Sequence, residues 1–296
     1  MEPRVSVSQI TTVRSSFVDD VRLYAEAGLA GIGVWELKLP DGGDAEALEA
    51  FEASGLDSAA AVPVFPSILP LPLLGGPEDP AERVEAICRS LERLAPFRPS
   101  GFVCLTGTAE GREPDEARGV VVDGLRTIAH EADRLGVRIG LEPYQRDGGE
   151  FWTIASSIPE AVSLIEDAGD PPSLGIQFDV WHLWNTPTLD DDIAAEIDRF
   201  VGVHICDYRD PTRGWADRAL PGEGAARVPD ILRALDAAGW DGLYDIEIFS
   251  DDGTFGTAYP DSFWTAPAEE AVGRARTAFE RCWSMHLTPQ GVEETT

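Results

Sequence analysis

The chain has 296 residues and a formal net charge of -30 at pH 7, from 53 acidic and 23 basic residues. Such an acidic surface repels phosphate backbones and anionic lipids, so neither nucleic acid nor a membrane is expected as a partner. No apolar run reaches the length of a membrane span, and we find no secretory signal. Four scattered cysteines without a paired motif predict reduced thiols in a cytoplasmic protein: Cys88, Cys104, Cys206 and Cys282.

Eight short, largely apolar segments alternate along the chain with eight amphipathic segments. The first kind predicts strands at 5–10, 31–36, 59–65, 101–106, 137–143, 175–179, 201–206 and 242–249. The second kind predicts helices at 16–25, 44–54, 82–94, 114–135, 158–168, 189–200, 227–238 and 268–283. Strands that alternate with helices of this length indicate βαβ units and a parallel sheet.

Eight such units in about 280 residues fit a closed barrel better than an open sheet. We therefore predict an α/β protein with a single (β/α)8 TIM barrel over residues 1–287 and a disordered tail over 288–296. No glycine-rich phosphate motif follows the first strand, which argues against a dinucleotide-binding fold. In such barrels the active site lies at the C-terminal ends of the strands.

Each of the last four predicted strands carries an ionisable residue near its end: Glu142, Asp179, His204 and Glu247. The adjacent strand residues are apolar, so alternation places the four ionisable side chains in the mouth of the barrel. Three carboxylates that close together repel one another unless protons or a cation neutralise them. The alternative is that each residue is satisfied separately, by local hydrogen bonds or by a nearby arginine.

A divalent metal is the simplest neutralising group for this set. Three oxygen ligands and one imidazole form a hard site suited to Mn²⁺ or Mg²⁺, and Co²⁺, Ni²⁺ and Fe²⁺ also fit. Zn²⁺ usually takes more nitrogen or sulfur ligands. The sequence therefore predicts one divalent metal bound at the strand ends.

Five short motifs occur at or after the late strands: LEPY at 141–144, FDVWH at 178–182, VHICD at 203–207, LPGEG at 220–224 and EIFS at 247–250. In this order and spacing the chain resembles the xylose isomerase-like TIM-barrel family. That family includes sugar phosphate isomerases and epimerases, inosose isomerases and inosose dehydratases. The resemblance covers essentially the whole chain, and the spacing of the four ionisable residues is its most specific part.

The resemblance implies that Glu142, Asp179, His204 and Glu247 coordinate one divalent metal, usually manganese. It also implies that His182, three residues after the strand-six aspartate, hydrogen-bonds the carbonyl or hydroxyl group of the substrate.

A substrate-binding basic residue is implied as well. Arg218, just before LPGEG, matches such a residue in the inosose-type members. In the sugar epimerases an arginine follows the strand-seven histidine by six residues, where this chain has Asp210. Arg209, Arg213 and Arg218 are therefore all candidates.

A hydroxyl–carbonyl pair bound at the metal would have an acidified α C–H, because the metal stabilises the enediolate that proton removal creates. Glu142 and Glu247 are the predicted catalytic residues, which remove and return the proton on either face. This chemistry predicts a metal-dependent isomerase or epimerase of a sugar or sugar-like polyol. With a leaving group at the β position, the same site would instead act as a lyase, such as an inosose-type dehydratase or a 3-keto C-glycoside-cleaving enzyme.

Two other interpretations have less support. The endonuclease branch of this fold needs more than the four histidines present, and a basic groove. A non-catalytic accessory barrel would not need the intact ligand set. Asp245 lies one layer below Glu247. Its role could be to support the site residues above it or to stabilise the fold, and both interpretations stay open. His130 and His286 are predicted to be surface or packing residues.

Aromatic residues are frequent in the predicted loops after the strands, and Trp181 and Trp264 are predicted to contact the substrate. The loops suggest a carbohydrate pocket, a pocket for a substrate with an apolar or aryl part, or an interface with a second copy or a partner subunit. The aromatic residues are Trp152, Trp181, Trp184, Tyr208, Trp215, Phe255, Tyr259, Phe263 and Trp264. The apolar loop after the third strand adds Phe65, Ile68, Leu69, Leu71, Leu73 and Leu74.

Overall fold

The computed structural model describes residues 2–71, 74–144 and 152–287. Parallel strands form a closed barrel in the order β1-β10-β7-β6-β5-β4-β3-β2, which confirms the predicted (β/α)8 barrel. The barrel strands are β1 Arg4–Ser8, β2 Gly31–Trp35, β3 Asp57–Val62, β4 Gly101–Cys104, β5 Ile139–Leu141, β6 Leu174–Asp179, β7 Phe200–Ile205 and β10 Leu243–Ile246. Two short strands after β7, β8 Asp207–Tyr208 and β9 Arg218–Ala219, form an antiparallel pair.

One long helix follows each barrel strand. These helices are Phe17–Glu26, Asp44–Ser54, Pro80–Leu94, Pro114–Leu135, Ile158–Asp167, Leu189–Glu196, Val228–Ala238 and Ala268–His286. Side chains of Ser16, Asp79 and Ser157 cap three of them by accepting hydrogen bonds from backbone N–H groups of the first turn. Across the described ranges, no helix is both long and apolar enough to cross a membrane. The predicted tail over 288–296 lies outside the described residues.

Several strands end earlier than the sequence predicts. β3 ends at Val62, immediately before Pro63. β5 ends at Leu141, two residues before Pro143. Proline has no N–H to give to a strand ladder, so it terminates pairing at these points. The predicted site residue Glu142 therefore follows its strand, although its N–H still donates to Cys104 O at 2.9 Å. β10 likewise ends one residue before the last predicted site residue.

The outer faces of the late strands pack against the helices, as alternation predicts. The residues concerned are all buried in the main hydrophobic core: Leu141, Phe178, Val203, Ile205, Ile246 and Ile248. Inside the barrel the buried side chain of Gln177 lies against Gly140 and Gly202. A Cβ at Gly202 would lie 2.2 Å from Gln177 Oε1, so glycine is required there for this side chain to fit. Polar side chains thus occupy the barrel interior below the mouth.

Candidate active site

The four predicted strand-end residues meet in one buried cluster at the mouth of the barrel. His204 Nδ1 lies 3.6 Å from Glu142 Oε1, 3.9 Å from Asp179 Oδ2 and 3.3 Å from Glu247 Oε2. All four side chains are at most 5% exposed. One imidazole nitrogen therefore faces three carboxylates, as the sequence predicts for a metal centre.

Three of these residues have the donor set and spacing of a metal site. Glu142, Asp179 and His204 each offer a ligand atom, and the three atoms lie within 4.8 Å of one another. Glu142 Oε1 and His204 Nδ1 are buried and have no hydrogen-bond partner in the described part of the chain. Such buried acceptors are costly unless something pairs with them. A divalent cation bound by two carboxylates and an imidazole would pair with both.

The fourth predicted ligand, Glu247, is held by Arg218. Nη1 of Arg218 donates to Glu247 Oε2 at 3.0 Å and to Asp179 Oδ2 at 2.9 Å. Charge-assisted hydrogen bonds of this kind fix the orientation of both carboxylates. Glu247 lies outside the group of three described above. Its role as a metal ligand stays a prediction.

Arg218 is the one of the three candidate arginines that lies in the cluster. Its Nη2 is also 3.5 Å from His182 Nε2. Arg209 and Arg213 instead pair with Asp217, at 2.9 Å and 2.6 Å, on the outer side of the loop. The structure therefore supports Arg218 as the basic residue nearest the site.

The motif LPGEG explains how Arg218 reaches the cluster. Asp207, at the start of β8, accepts hydrogen bonds from the backbone N–H groups of Tyr208, Gly222 and Ala226, each at 2.8 Å. These bonds fold the turn back onto β8, and β9 pairs beside it. Arg218 is the first residue of β9, so its side chain position depends on this turn.

Burial and neighbouring charges together set the pKa values in the cluster. Burial raises the pKa of Glu142 to about 7. Burial also lowers the pKa of His204, but the carboxylates of Glu247 and Glu142 outweigh it and raise that pKa to about 10. For Asp179 burial raises the pKa, and Arg218 brings it below the ordinary value. In the absence of a cation, protons therefore balance part of the negative charge, and metal binding would release them.

Asp245 lies below the cluster, on the far side of the His204 ring. Its Oδ2 is 3.8 Å from His204 Nε2, and both groups are buried. Within the described ranges, neither carboxylate oxygen of Asp245 has a hydrogen-bond partner. A Cβ on Gly33 would meet Asp245 Oδ2 at 2.1 Å, so the glycine makes room for this carboxylate. The geometry favours a supporting role toward His204 over a separate structural one.

Tyr144 connects the cluster to an aromatic wall, a role that the sequence does not predict. Its hydroxyl donates to Glu142 Oε2 at 3.2 Å, and its ring contacts the imidazole of His182. Trp152 stacks on the other side of Tyr144, with ring centroids 5.9 Å apart. Tyr144 lies two residues after Glu142, so strand alternation could have placed it on the same face.

His182 is buried beside Tyr144 and Arg218. Burial lowers the pKa of His182 to about 3, so its imidazole is neutral at physiological pH. A neutral imidazole can donate one hydrogen bond and accept another. This is the form suited to the predicted contact with a substrate oxygen.

A cavity of about 340 Å³ opens directly above the cluster. Five polar or charged residues line it: Glu142, His204 and Glu247 from the cluster, and His182 and Arg218 beside it. The remaining lining is apolar or aromatic: Trp35, Leu37, Val62, Pro63, Val64, Phe65, Pro66, Leu74, Val103, Leu105, Tyr144, Trp152, Trp181, Trp215, Phe249 and Phe255. A concave apolar pocket with a few convergent polar groups is typical of a small-molecule site.

Four of the nine predicted loop aromatics line this cavity: Trp152, Trp181, Trp215 and Phe255. The other five, including Trp264, do not line it. Trp264 is 3% exposed, donates its indole N–H to Ile248 O at 2.8 Å and packs behind Phe249. Trp264 therefore does not line the cavity, where the substrate contact was predicted; it packs against Phe249, which does. Trp181 lines the cavity, and its buried indole N–H has no partner among the residues described.

The apolar residues of the loop after β3 are also divided between the cavity lining and the protein core. Phe65 and Leu74 line the cavity, whereas Ile68, Leu69 and Leu71 are buried in the protein core. Leu73 lies outside the described residues. Two further lining aromatics were not predicted: Trp35, the last residue of β2, and Phe249, three residues after β10. Their rings pack edge to face with centroids 5.7 Å apart.

Solved structures share this whole architecture. Protein SMc04130 from Sinorhizobium meliloti 1021 superposes with a TM-score of 0.81 and 25% identity, over 94% of this chain and 98% of that one. The zinc-bound IolI protein gives a TM-score of 0.77 at 19% identity, over 96% and 99% of the two chains. These similarities agree with the (β/α)8 barrel fold of the chain.

Sequence comparison points to the same group of proteins. A Streptomyces coelicolor protein with the provisional name hydroxypyruvate isomerase is 25% identical over 235 residues, which is 75% of this chain and 82% of that protein. The inosose isomerase of Halalkalibacterium halodurans is 24% identical over 177 residues, or 58% and 57% of the two chains. Residues 21–282 match the family described as xylose isomerase-like TIM barrel. The chain therefore belongs to the xylose isomerase-like TIM barrel family.

Proposed function

We propose that the protein is a divalent-metal-dependent isomerase or epimerase of a sugar or sugar-like polyol. The observation that supports this most directly is the buried group of Glu142, Asp179 and His204, whose ligand atoms lie within 4.8 Å of one another. Glu247 and Arg218 complete the cluster. Relatives with isomerase names and a zinc-bound structural neighbour support the same class of site. Mn²⁺ is the cation we favour for a site with mostly oxygen ligands.

When bound, the cation would polarise a substrate carbonyl and make the neighbouring C–H more acidic. Glu142 and Glu247 would move that proton; the first follows β5 and the second follows β10, with β6 and β7 between these strands. Their orientations are fixed separately. Glu142 Oε2 accepts from the Tyr144 hydroxyl, while Glu247 Oε2 accepts from Arg218. A base on each side of the substrate would allow the proton to leave one face and return to either.

His182 and Arg218 would hold the substrate oxygens. The imidazole of His182 is neutral and its ring is fixed between Tyr144 and Trp181, with centroid distance to the Trp181 ring of 5.1 Å. The guanidinium of Arg218 is 5% exposed and lines the cavity floor. Together they would orient a hydroxyl–carbonyl pair over the two carboxylates. The apolar and aromatic lining of the cavity would limit the contact of water with the enolised substrate.

The test is proton exchange in D₂O. Purified protein loaded with Mn²⁺ is incubated with a panel of ketoses and inososes, and loss of the α-proton signal is followed by NMR. We expect exchange with at least one compound. Glu142→Gln and Glu247→Gln should each slow the exchange by about 100-fold or more, because each removes a general base. An absorbance from a new enone would instead identify elimination at the same site.

Metal analysis of each variant separates loss of the base from loss of the cation. Glu131→Gln is the matched control, because Glu131 pairs with Arg134 in the helix Pro114–Leu135 and does not line the cavity. We expect that variant to exchange like the wild type. Wild-type exchange in either Glu142→Gln or Glu247→Gln would contradict the two-base proposal.

A further inference from the structure

The mouth of the barrel is divided into two chemically different halves. The consecutive strands β5, β6, β7 and β10 deliver the ionisable residues of the cluster. On the other side, β2, β3 and β4 deliver apolar and aromatic side chains to the same cavity. Among the described lining residues, ionisable groups lie only on the side of β5, β6, β7 and β10, whereas aromatic residues occur on both sides of the cavity.

The apolar half has few groups that could hydrogen-bond a substrate. β3 and its loop contribute Val62 and the run 63–66, and β4 contributes Val103 and Leu105. From β2 comes Trp35, whose indole N–H already donates to Ser8 Oγ at 2.8 Å. Leu37 completes this side.

The nearest carboxylate on this side is turned away from the cavity. Glu36 is buried, and its Oε2 accepts from Val64 N at 2.8 Å and from Ser90 Oγ at 2.6 Å. Arg93 Nη1 approaches its Oε1 at 3.4 Å. Glu36 therefore fixes the backbone of the loop after β3 and does not line the cavity.

Aromatic rings extend the apolar half over the cluster. Trp215 packs against Trp152 with ring centroids 5.4 Å apart, and against Phe249 and Phe255 at 5.4 Å and 5.5 Å. Tyr144 continues this row to the metal-binding side chains. A ligand that reaches from the cluster into the cavity therefore passes along a continuous aromatic surface.

A free sugar fits one half of this cavity better than the other. Its hydroxyl–carbonyl end matches the cluster, but its remaining hydroxyls would lose water against valine, proline and leucine without gaining hydrogen bonds. Aromatic faces can stack on the C–H groups of a sugar, yet the hydroxyls at the ring edge would still need polar partners. An apolar ring in that position would bury its surface favourably.

We propose that the substrate is a hydroxy-carbonyl compound that carries an apolar, aryl-sized group. The hydroxy-carbonyl end lies at Glu142, His182 and Glu247, and the apolar group lies between Trp215 and the loop after β3. This assignment rests on the proposed function, because it takes the polar cluster as the place where the hydroxy-carbonyl group reacts. It adds a substrate class that the metal-binding residues alone do not specify.

Three probes that share a hydroxymethyl ketone, D-fructose in its open-chain form, test the assignment. Hydroxyacetone is the shared core, D-fructose adds a polyol tail, and phenethyl hydroxymethyl ketone adds an aryl tail. Dissociation constants are measured by calorimetry on the Mn²⁺-loaded protein. We expect the aryl probe to bind at least about tenfold more tightly than hydroxyacetone. D-fructose should bind little more tightly than hydroxyacetone does. D-fructose binding as tightly as the aryl probe would overturn the assignment.

A matched pair of variants locates the binding of the aryl group. Trp215→Leu should reduce the ratio of the dissociation constant of hydroxyacetone to that of the aryl probe to below about threefold. Trp240→Leu should keep the ratio, because Trp240 packs against Phe200 and does not line the cavity. An unchanged ratio in a folded Trp215→Leu protein would also overturn the assignment.

α-Proton exchange of the same probes in D₂O separates the two proposals. Exchange of hydroxyacetone and D-fructose without any preference for the aryl probe would support the proposed function and contradict the aryl pocket. Tight, Trp215-dependent binding of the aryl probe without exchange would support the pocket and contradict the isomerase.

Discussion

His204 has carboxylates near both of its ring nitrogens. Nδ1 faces Glu142, Asp179 and Glu247, and Nε2 faces Asp245 at 3.8 Å. A metal-binding histidine commonly gives its other N–H to a carboxylate, which fixes the tautomer and the ring orientation. With a cation bound, the ring proton would lie on Nε2, facing Asp245, and Nδ1 would give its lone pair to the cation.

Asp245→Asn tests this support of His204. The change keeps the size of the side chain but removes its charge, so Nδ1 becomes a weaker ligand and the ring is held less firmly. We expect the affinity for Mn²⁺ to fall about 10- to 100-fold, measured by competition with a chelating dye. Asp236→Asn is the control, because Asp236 lies 3.6 Å from the buried ring of His286, away from the site. Equal Mn²⁺ affinity in Asp245→Asn and wild type would show that Asp245 is not needed.

Alternation along strands predicts which residues share the barrel mouth, and it does so well. It places Glu142, Asp179, His204 and Glu247 together because neighbouring parallel strands end at one edge. The position of Trp264 could not be obtained in this way. Its indole direction depends on a loop whose backbone is fixed by distant contacts, such as the bond from Trp264 to Ile248 O.

At the scale of the elements, the eight strand–helix units follow directly from periodicity. Strand ends and loops are less predictable, because they depend on contacts between segments far apart in sequence. The hairpin of β8 and β9 is an example: two residues of each strand pair across a loop of nine residues, 209–217. Nothing in the periodicity of that short stretch indicates the pairing, which Asp207 stabilises through the LPGEG turn.

The apolar loop after β3 owes its conformation to one buried arginine. Arg83, from the helix Pro80–Leu94, is 1% exposed and donates to the carbonyls of Ser67, Gly75 and Pro77 at 2.8–3.0 Å. Its Nη2 also donates to Ser67 Oγ at 2.8 Å. The guanidinium thus satisfies carbonyl groups at both ends of the loop that forms one wall of the cavity.

Arg83→Met should lower the free energy of unfolding by roughly 3 kcal/mol, since it leaves several buried carbonyl groups without donors. Urea denaturation measures this loss. Hydrogen exchange at the amides of Ile68 and Leu69, which donate to Leu105 O and Thr106 O, should become faster as the loop loosens.

The control for that measurement is Arg89→Met on the same helix. Arg89 is 67% exposed and lies 3.8 Å from Glu85, so we expect a change within about 0.5 kcal/mol. A loss below about 1 kcal/mol in Arg83→Met, with unchanged exchange at Ile68, would mean that the loop is held by packing alone.

The whole molecule carries a net charge of -30, and Glu142, Asp179 and Glu247 are buried carboxylates at the barrel mouth. Without a cation these carboxylates lie close together, and burial raises the pKa of Glu142 to about 7. A ligand that binds the folded state only adds stability by mass action. Mn²⁺ at about 100 times its dissociation constant should therefore raise the free energy of unfolding by about 2.7 kcal/mol over the EDTA-treated protein.

A surface this acidic requires a second comparison, because any divalent cation also screens its self-repulsion. Asp179→Asn removes one predicted ligand and changes the net charge by only one. We expect Mn²⁺ to stabilise this variant no more than NaCl does at equal ionic strength. The wild type should gain the full increase of about 2.7 kcal/mol in the free energy of unfolding. Thermal melts of both proteins in EDTA, Mn²⁺ and NaCl give the comparison. Equal stabilisation of the two proteins by Mn²⁺ would assign the effect to the surface and leave Glu142, Asp179 and His204 without a metal.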